Sequence, residues 1–352
     1  MPLNLARLRR TLNRARAGRW IDPWSLAERE WTLCPARTAR IAPAWHPPDA
    51  LQRVRSLSPY RSWAVERPLI DGGTIELGPT VAGLFRDVDL VDGTLYLGPA
   101  AWTESDRPAP WWLAARADEP ALARAQLVST GSGNTFFGCL LLDDFVLELL
   151  SDEPALKISV PGRPSGHEAD YRRLLGLGQR RTVQRTRVGE LTCYKDARWN
   201  DSKTERYRRL RARLRESLPP GTTAGAPLLY IRRGLAGQRR VMANEPELEA
   251  TLRARGFDVI DPMVMSVQEV ARRSLDARLV VSIEGSQISH AIFSMADRGT
   301  LVVLQPPERF CLQYKEFADA MDMRFAFVVG LPAADGFNVD VDELTRLLDR
   351  LG

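Results

Sequence analysis

Apolar and polar positions change their spacing several times along the 352 residues, and each change marks a different kind of element. In residues 1–20, Leu3, Leu5, Leu8 and Leu12 lie along one side of a predicted short helix, and Arg7, Arg9, Arg10, Arg14 and Arg16 crowd the rest. A basic amphipathic helix of this kind suits an anionic membrane surface, and equally an N-terminal helix with a solvated basic face. Pro35, Pro43, Pro47 and Pro48 then predict irregular chain. Between Gly73 and Gly98 the apolar runs become short: residues 74–77, 84–90 and 95–97 read as strands, and Asp92-Gly93 between two of them predicts a hairpin. Trp111 and Trp112 precede helical spacing through Arg124, and residues 135–150, after Gly131-Ser132-Gly133-Asn134, are apolar enough for a buried helix. A turn-rich stretch at 161–166 leads to an arginine-rich helix near 171–177. An amphipathic helix over 202–218 stops at Pro219-Pro220-Gly221, which is read as the boundary between domains 1–220 and 221–352.

Beyond that break the alternation is regular. Residues 226–232, 257–260, 279–283, 301–304 and 325–329 read as strands, separated by predicted helices at 245–255, 267–275, 286–295 and 308–321, with a last helix at 340–351. Strands alternating with helices imply βαβ units and a mainly parallel sheet covered on both faces, so the fold class is α/β. Ligands of such sheets bind beyond the carboxyl ends of the strands, which fixes where candidate residues are sought.

Composition narrows the class further. Hydrophobic residues at 44% and charged residues at 26% are those of a soluble globular chain, and no apolar run is long enough to cross a bilayer. Residues 1–20 lack the apolar core and cleavage site of a secretory signal, so a cytoplasmic location is expected, peripheral to the inner face of the membrane if the first helix binds lipid. Cys34, Cys139, Cys193 and Cys311 form no C-x-x-C pair and are read as reduced thiols, with no metal site expected. The net charge of +5 suits nucleic acid, anionic lipid or a phosphorylated small molecule alike, but no nucleic-acid module is present and no nucleic-acid partner is expected.

Two stretches carry candidate chemistry. In Ser282-Ile283-Glu284-Gly285-Ser286-Gln287-Ile288-Ser289-His290 an apolar strand passes through a glycine into a predicted helix, where backbone N–H groups favour a phosphate. Glu284, placed at the mouth, is suited to ribose or sugar hydroxyls; the same residues also suit an ordinary strand-to-helix turn capped by Ser286. Arg232 and Arg233 leave the strand at 226–232, and Arg240 follows the Gly234–Gly237 loop, a pattern suited to clamping a diphosphate or to an exposed basic loop. Both stretches belong on one edge of the sheet. No G-x-G-x-x-G follows any strand, which argues against a dinucleotide enzyme.

The order Y-I-R-R, R-R-V-M-A-N-E-P-E-L, G-F-D-V-I-D-P with M-S-V-Q-E-V, and A-R-L-V-V-S-I-E-G-S-Q-I-S-H-A-I-F resembles glycosyltransferase family 61 over roughly residues 226–330, in its bacterial capsular-polysaccharide form. Fainter echoes are Gly133-Asn134-Thr135-Phe136-Phe137 and the hairpin from Arg86 to Gly93. On this resemblance Arg233 falls on the family's strand-end arginine, Asn244-Glu245 on its N-E pair, Glu269 on its S-x-x-E-Q glutamate and Gly285 on the second glycine of G-x-H-G-A. The sequence departs from that pattern at Ser282, Glu284, Ser286 and Val270. The resemblance implies a GT-B-like arrangement of two Rossmann-like domains facing a cleft, the C-terminal one holding the nucleotide. It also implies inverting, metal-independent transfer from a nucleotide-sugar, a UDP-sugar by preference, to a glycan or lipid-linked acceptor, without a cofactor. The implied donor-binding set is Arg232, Arg233, Arg240, Glu269, Glu284, Gly285, Ser286, Gln287 and His290. Asp143, Asp144 and His167 are the candidate bases for the acceptor hydroxyl. A second reading, from a different class, is a catalytically inactive glycan-binding or scaffold partner of a polysaccharide assembly complex, which would show no donor turnover for Arg233→Ala to abolish.

Overall fold

A computed structural model describes residues 21–105, 119–163, 165–196, 199–234 and 240–351. The helix expected in residues 1–20, together with Trp111 and Trp112, lies outside the described residues. The chain opens with strand β1 (Arg29–Cys34) and an antiparallel pair, β2 (Arg37–Ile41) and β3 (Gly73–Leu77), which enclose the helix Trp63–Asp71. It continues through β4 (Thr80–Val91), β5 (Thr94–Leu97), β6 (Ala100–Thr103), β7 (Leu122–Leu127), β8 (Lys157–Ser159), β9 (Arg181–Thr182) and β10 (Arg185–Lys195).

Residues gather into two compact units that interleave in sequence, one comprising 1–36, 78–168 and 177–206, the other 37–77, 169–176 and 207–352. The division therefore falls inside the helix Asp201–Ser217, between Arg206 and Tyr207, rather than at Pro219-Pro220-Gly221. Backbone bonding explains why residues 37–77 belong with the later part of the chain. Trp45 N–H donates to the Phe325 carbonyl and its own carbonyl accepts from Phe327 N–H, both at 2.9 Å, while Arg53 pairs with Glu343 at 2.6 Å.

In the N-terminal unit an eight-stranded sheet runs β6-β5-β4-β10-β7-β8-β9, with β1 also pairing β4. The expected hairpin is present: Asp92 and Gly93 have φ of 48° and 77°, the double positive φ of a tight two-residue turn joining β4 to β5. A two-residue connection can only join antiparallel strands. β1, β4, β5 and β6 are antiparallel to their neighbours, while β10 is antiparallel to β4 and parallel to β7, and β8 and β9 continue the sheet in parallel. This sheet is mixed, not the doubly wound parallel sheet implied by the resemblance. The helical spacing expected through Arg124 gives way to β7, whose ladder to β10 sets Arg124 opposite Glu190; pairing overrides the local pattern. The buried helix expected over 135–150 starts at Phe137 and widens to a π turn over Leu140–Asp144 before tightening at Glu148–Leu150. Phe85, Val88, Leu95, Leu127, Ile158 and Leu191 centre the core of this unit.

The C-terminal unit holds β11 (Leu228–Ile231), β12 (Asp258–Ile260), β13 (Leu279–Ile283), β14 (Thr300–Gln305) and β15 (Arg324–Val329), all parallel, in the spatial order β12-β11-β13-β14-β15. Numbered within the unit, that is 2-1-3-4-5, a doubly wound order. β13 and β14 are buried at every position, as strands covered on both faces must be. Tyr230, Leu248, Val281, Val302, Val328 and Leu347 are among the core residues that join this sheet to its helices. Helices at Glu245–Ala254, Val267–Ser274 and Val341–Leu351 match the expected positions closely. Two do not. The helix expected over 286–295 is only a 3-10 segment, Ser286–His290, and the one expected from 308 begins at Gln313. A hairpin of β16 (Leu331–Ala333) and β17 (Gly336–Asn338) was not anticipated.

The four cysteines are free thiols, three of them buried. Among the described residues no helix is long and apolar enough to cross a membrane.

Candidate functional site

The strand order of the C-terminal unit reverses between β11 and β13, and crevices at such a point open beyond the carboxyl ends of the two strands. The sequence places Arg232-Arg233-Gly234 directly after β11 and Glu284-Gly285 directly after β13. Their relative positions are set by the ladder. Ser282 stands opposite Ile231, and its hydroxyl donates to the Ile231 carbonyl at 2.8 Å. Gln287 Nε2 donates to Ser282 Oγ at 2.9 Å and also to the Ile283 carbonyl, while its Oε1 accepts from Arg233 Nη1 at 3.0 Å. Ser282 and Gln287 are therefore braces that hold Arg233 across the two strand ends.

Gly285 is required by this packing. Its φ of 149° is a region open essentially to glycine, and a Cβ there would lie 2.9 Å from Arg233 Cζ and 2.6 Å from Gln287 Oε1. The guanidinium rests against the bare backbone. Phosphate recognition by a full helix N-terminus, expected from the sequence, is not available after Gly285, because only a short 3-10 segment follows. Guanidinium groups supply the positive charge instead.

Arg233 is 7% exposed, and the Arg240 side chain lies 2.7 Å from Glu284, each 8% exposed. Burial, and secondly the neighbouring Arg240, lower the Arg233 pKa to about 10. Burial also lowers that of Arg240, against the attraction of Glu284. The Glu284 pKa is raised by burial, although Arg240, Arg309 and Arg233 all oppose the rise. Glu284 is thus enclosed among arginines rather than open at a mouth to receive hydroxyls. Arg309, in the turn after β14, was missed by the sequence reading because it fell within a predicted helix; Pro306-Pro307 just before it was the signal for a loop.

A pocket of about 530 Å³ opens beside this cluster, lined by Arg232, Arg233, Gly234, Arg240, Glu245 and Glu249 among others. Arg232 is held by Glu249 at 2.5 Å, and Tyr230 Oη donates to Glu245 Oε1 at 2.7 Å. Asn244 ties the adjoining turn to Val339 through its amide, donating at 2.8 Å and accepting at 3.0 Å. The pocket thus combines fixed cations with two carboxylates, which suits a ligand carrying both phosphate and hydroxyl groups.

Other expected residues lie elsewhere. Glu269 pairs with Arg272 at 2.8 Å on its own helix, and His290 Nδ1 is buried 2.8 Å from Tyr171 Oη. Ser286 is half-buried and Gly285 buried in the turn itself.

The candidate bases belong to the N-terminal unit. Asp144 has no exposed surface; its Oδ1 accepts from Thr130 N–H at 3.0 Å and Oγ1 at 2.8 Å, and Arg180 stands 3.8 Å from Oδ2. Burial drives its pKa well up. Asp143, one position along the π turn, is partly exposed and receives Lys203 Nζ at 2.7 Å. His167 is half-buried, its ring 6.0 Å from that of Phe137. Glu104, which the sequence reading passed over, is half-buried just after β6. It accepts from Gly131 N–H at 2.6 Å, and burial raises its pKa to about 7, against that hydrogen bond. Its only sequence signal is that a glutamate follows the strand Ala100–Thr103 and faces the Gly131–Asn134 loop.

No curated protein matches the chain. A model of the family described as Glycosyltransferase 61 matches residues 119–303, from just before β7 into β14, and so takes in the β11 and β13 strand ends with Arg233, Arg240 and Gly285. With more than half of its length matched, the chain belongs to glycosyltransferase family 61 and is a glycosyltransferase enzyme.

Proposed function

We propose that the protein moves a sugar from a nucleotide-sugar, a UDP-sugar by preference, to a glycan or lipid-linked acceptor in the synthesis of a surface or capsular polysaccharide. The observation that carries this reading is the meeting of Arg233 and Arg240 at the switch point of the C-terminal sheet, beside a pocket that also presents Glu245 and Glu249. Departure of a nucleoside diphosphate concentrates negative charge on its phosphates, and fixed guanidinium groups in a partly water-excluded site stabilise that charge without reorganisation. The arginines perform the part that a metal ion plays elsewhere, which supports transfer without a metal and without a cofactor. Glu245 and Glu249 are suited to accept hydrogen bonds from ribose or sugar hydroxyls. Inversion requires a base to take the acceptor proton as the hydroxyl attacks. Asp144 is enclosed, so Asp143, His167 and Glu104 are the groups proposed for that task. The basic segment of residues 1–20 is proposed to bring the enzyme to the inner face of the membrane.

The test is thermal unfolding with UDP, GDP, CMP, ADP and NAD, each with magnesium and with EDTA. A ligand at ~100 times its dissociation constant adds roughly 2.7 kcal/mol to the folded state. Stabilisation by one nucleoside diphosphate, unchanged by EDTA and abolished in Arg233→Ala, is the expected result. If no nucleotide shifts the transition, the donor reading fails; a shift confined to NAD would replace it with a dinucleotide enzyme.

A further inference from the structure

The loop after β14 adds a group that the resemblance did not assign. β14 pairs with β13 up to Ile283 opposite Leu304, and Glu284 N–H donates to the Leu304 carbonyl at 2.9 Å, so the turn carrying Arg309 leaves the sheet beside Glu284. The charge of Arg309 acts on Arg233, Arg240 and Glu284 together. Three guanidinium groups therefore act on one carboxylate. Arg232 is outside this count, since Glu249 holds it in a forked pair.

The sharing is also poorly satisfied. Arg240 Nε and Glu284 Oε2 are close, yet neither has a hydrogen-bond partner among the described residues, because the groups are not aligned for one. Arg309 Nε is buried and likewise without a hydrogen-bond partner among them. Buried charged donors left in this condition are costly, and an anion with several acceptor oxygens relieves the cost.

We infer that Arg309 is a third diphosphate-binding arginine, alongside Arg233 and Arg240, and that Glu284 is the resident counter-charge against which the donor's two phosphates compete. This rests on the nucleotide-sugar reading and sharpens it. A diphosphate offers two phosphate groups to the three guanidinium groups, whereas a donor linked through a single phosphate offers one. The donor class is therefore the diphosphate-linked one. Glu284 prevents the empty cluster from holding three uncompensated cations, and its imperfect alignment makes it replaceable.

The experiment is isothermal titration of the full chain, at fixed ionic strength, with inorganic phosphate, inorganic pyrophosphate, UMP, UDP, GDP and ADP. Wild type is expected to bind pyrophosphate and UDP at least tenfold more tightly than phosphate and UMP. Arg309→Gln should weaken pyrophosphate and UDP about tenfold and Arg309→Lys less, with far-ultraviolet circular dichroism and unliganded melting confirming that each variant is folded. Glu284→Gln should strengthen pyrophosphate binding severalfold by removing the competitor. Undiminished pyrophosphate affinity in a folded Arg309→Gln protein overturns the inference while leaving the donor reading in place, and equal wild-type affinity for phosphate and pyrophosphate also overturns it. Tight pyrophosphate binding lost in Arg309→Gln, with no binding of UDP, GDP or ADP, upholds the clamp and removes the nucleotide reading.

Discussion

Gly285→Ala is the substitution that examines the site most directly. The new methyl group meets two obstacles. The backbone at φ 149° admits an L-residue only with strain, which costs about 1–3 kcal/mol. The methyl would also sit inside contact distance of the Arg233 guanidinium, which must then leave Gln287 Oε1, a charged hydrogen bond of about 1.5–3 kcal/mol. Together these predict a loss of roughly 2.5–6 kcal/mol. The two parts separate in a double-mutant cycle. Arg233→Ala alone should change stability little, since it removes a buried cation repelled by Arg240 and Arg309 as well as a hydrogen bond. In that background Gly285→Ala has no guanidinium to displace and should cost only the backbone part. Urea unfolding followed by tryptophan fluorescence gives all four stabilities, and a coupling of at least about 1 kcal/mol is expected for residues in contact. A Gly285→Ala cost that is the same in both backgrounds within about 0.5 kcal/mol would refute the claim that Gly285 exists to let Arg233 approach.

Two further predictions concern the N-terminal unit. Because the Glu104 pKa is raised to about 7 from an ordinary 4.5, the folded state keeps a proton that the unfolded state has released between these values. Stability should therefore fall as pH rises from about 4.5 to 7, by at most roughly 3 kcal/mol, and then level off. Glu104→Gln retains an acceptor for Gly131 N–H and should flatten that slope in urea melts; an unchanged slope would exclude Glu104 as its source. Asp144→Ala should cost roughly 2–4 kcal/mol by stripping Thr130 N–H of its buried acceptor, whereas Asp144→Asn should cost less than about 1.5 kcal/mol and leave turnover intact. Loss of turnover in a stable Asp144→Asn protein would restore that carboxylate as the base.

The C-terminal unit was largely legible from the chain, since each buried strand reads as an unbroken apolar run and each helix has its own period. Leu279–Ile283 agrees to the residue. The candidate site was legible where arginine and glycine stood directly after such strands. It was not legible where a residue's part depends on side chains from distant loops. Gln287 was expected at a ligand and is instead a brace between Ser282 and Arg233, a role set by two side chains that it meets only in the fold. Arg309 was hidden because residues 308–321 have helical spacing, while the first turns of that segment are used to join β14 to the helix Gln313–Ala320. In the N-terminal unit the hairpin was announced by Asp92-Gly93, but the parallel strand β7 was not. Its position is fixed by pairing with β10, about sixty residues later in the chain, and periodicity carries no information about a partner so far away.

The complete burial of β13 and β14 also bears on how this enzyme can change. Their residues are bound by packing on both faces, whereas the groups proposed to meet the ligand are borne on the segments that leave the strand ends. Exchange of residues 306–310 for those of another member of the family can retune the charge of the site while the sheet beneath stays as it is. Inherited variation in donor preference should accordingly be concentrated in these short connectors, and a library restricted to them samples new specificities without sampling new folds.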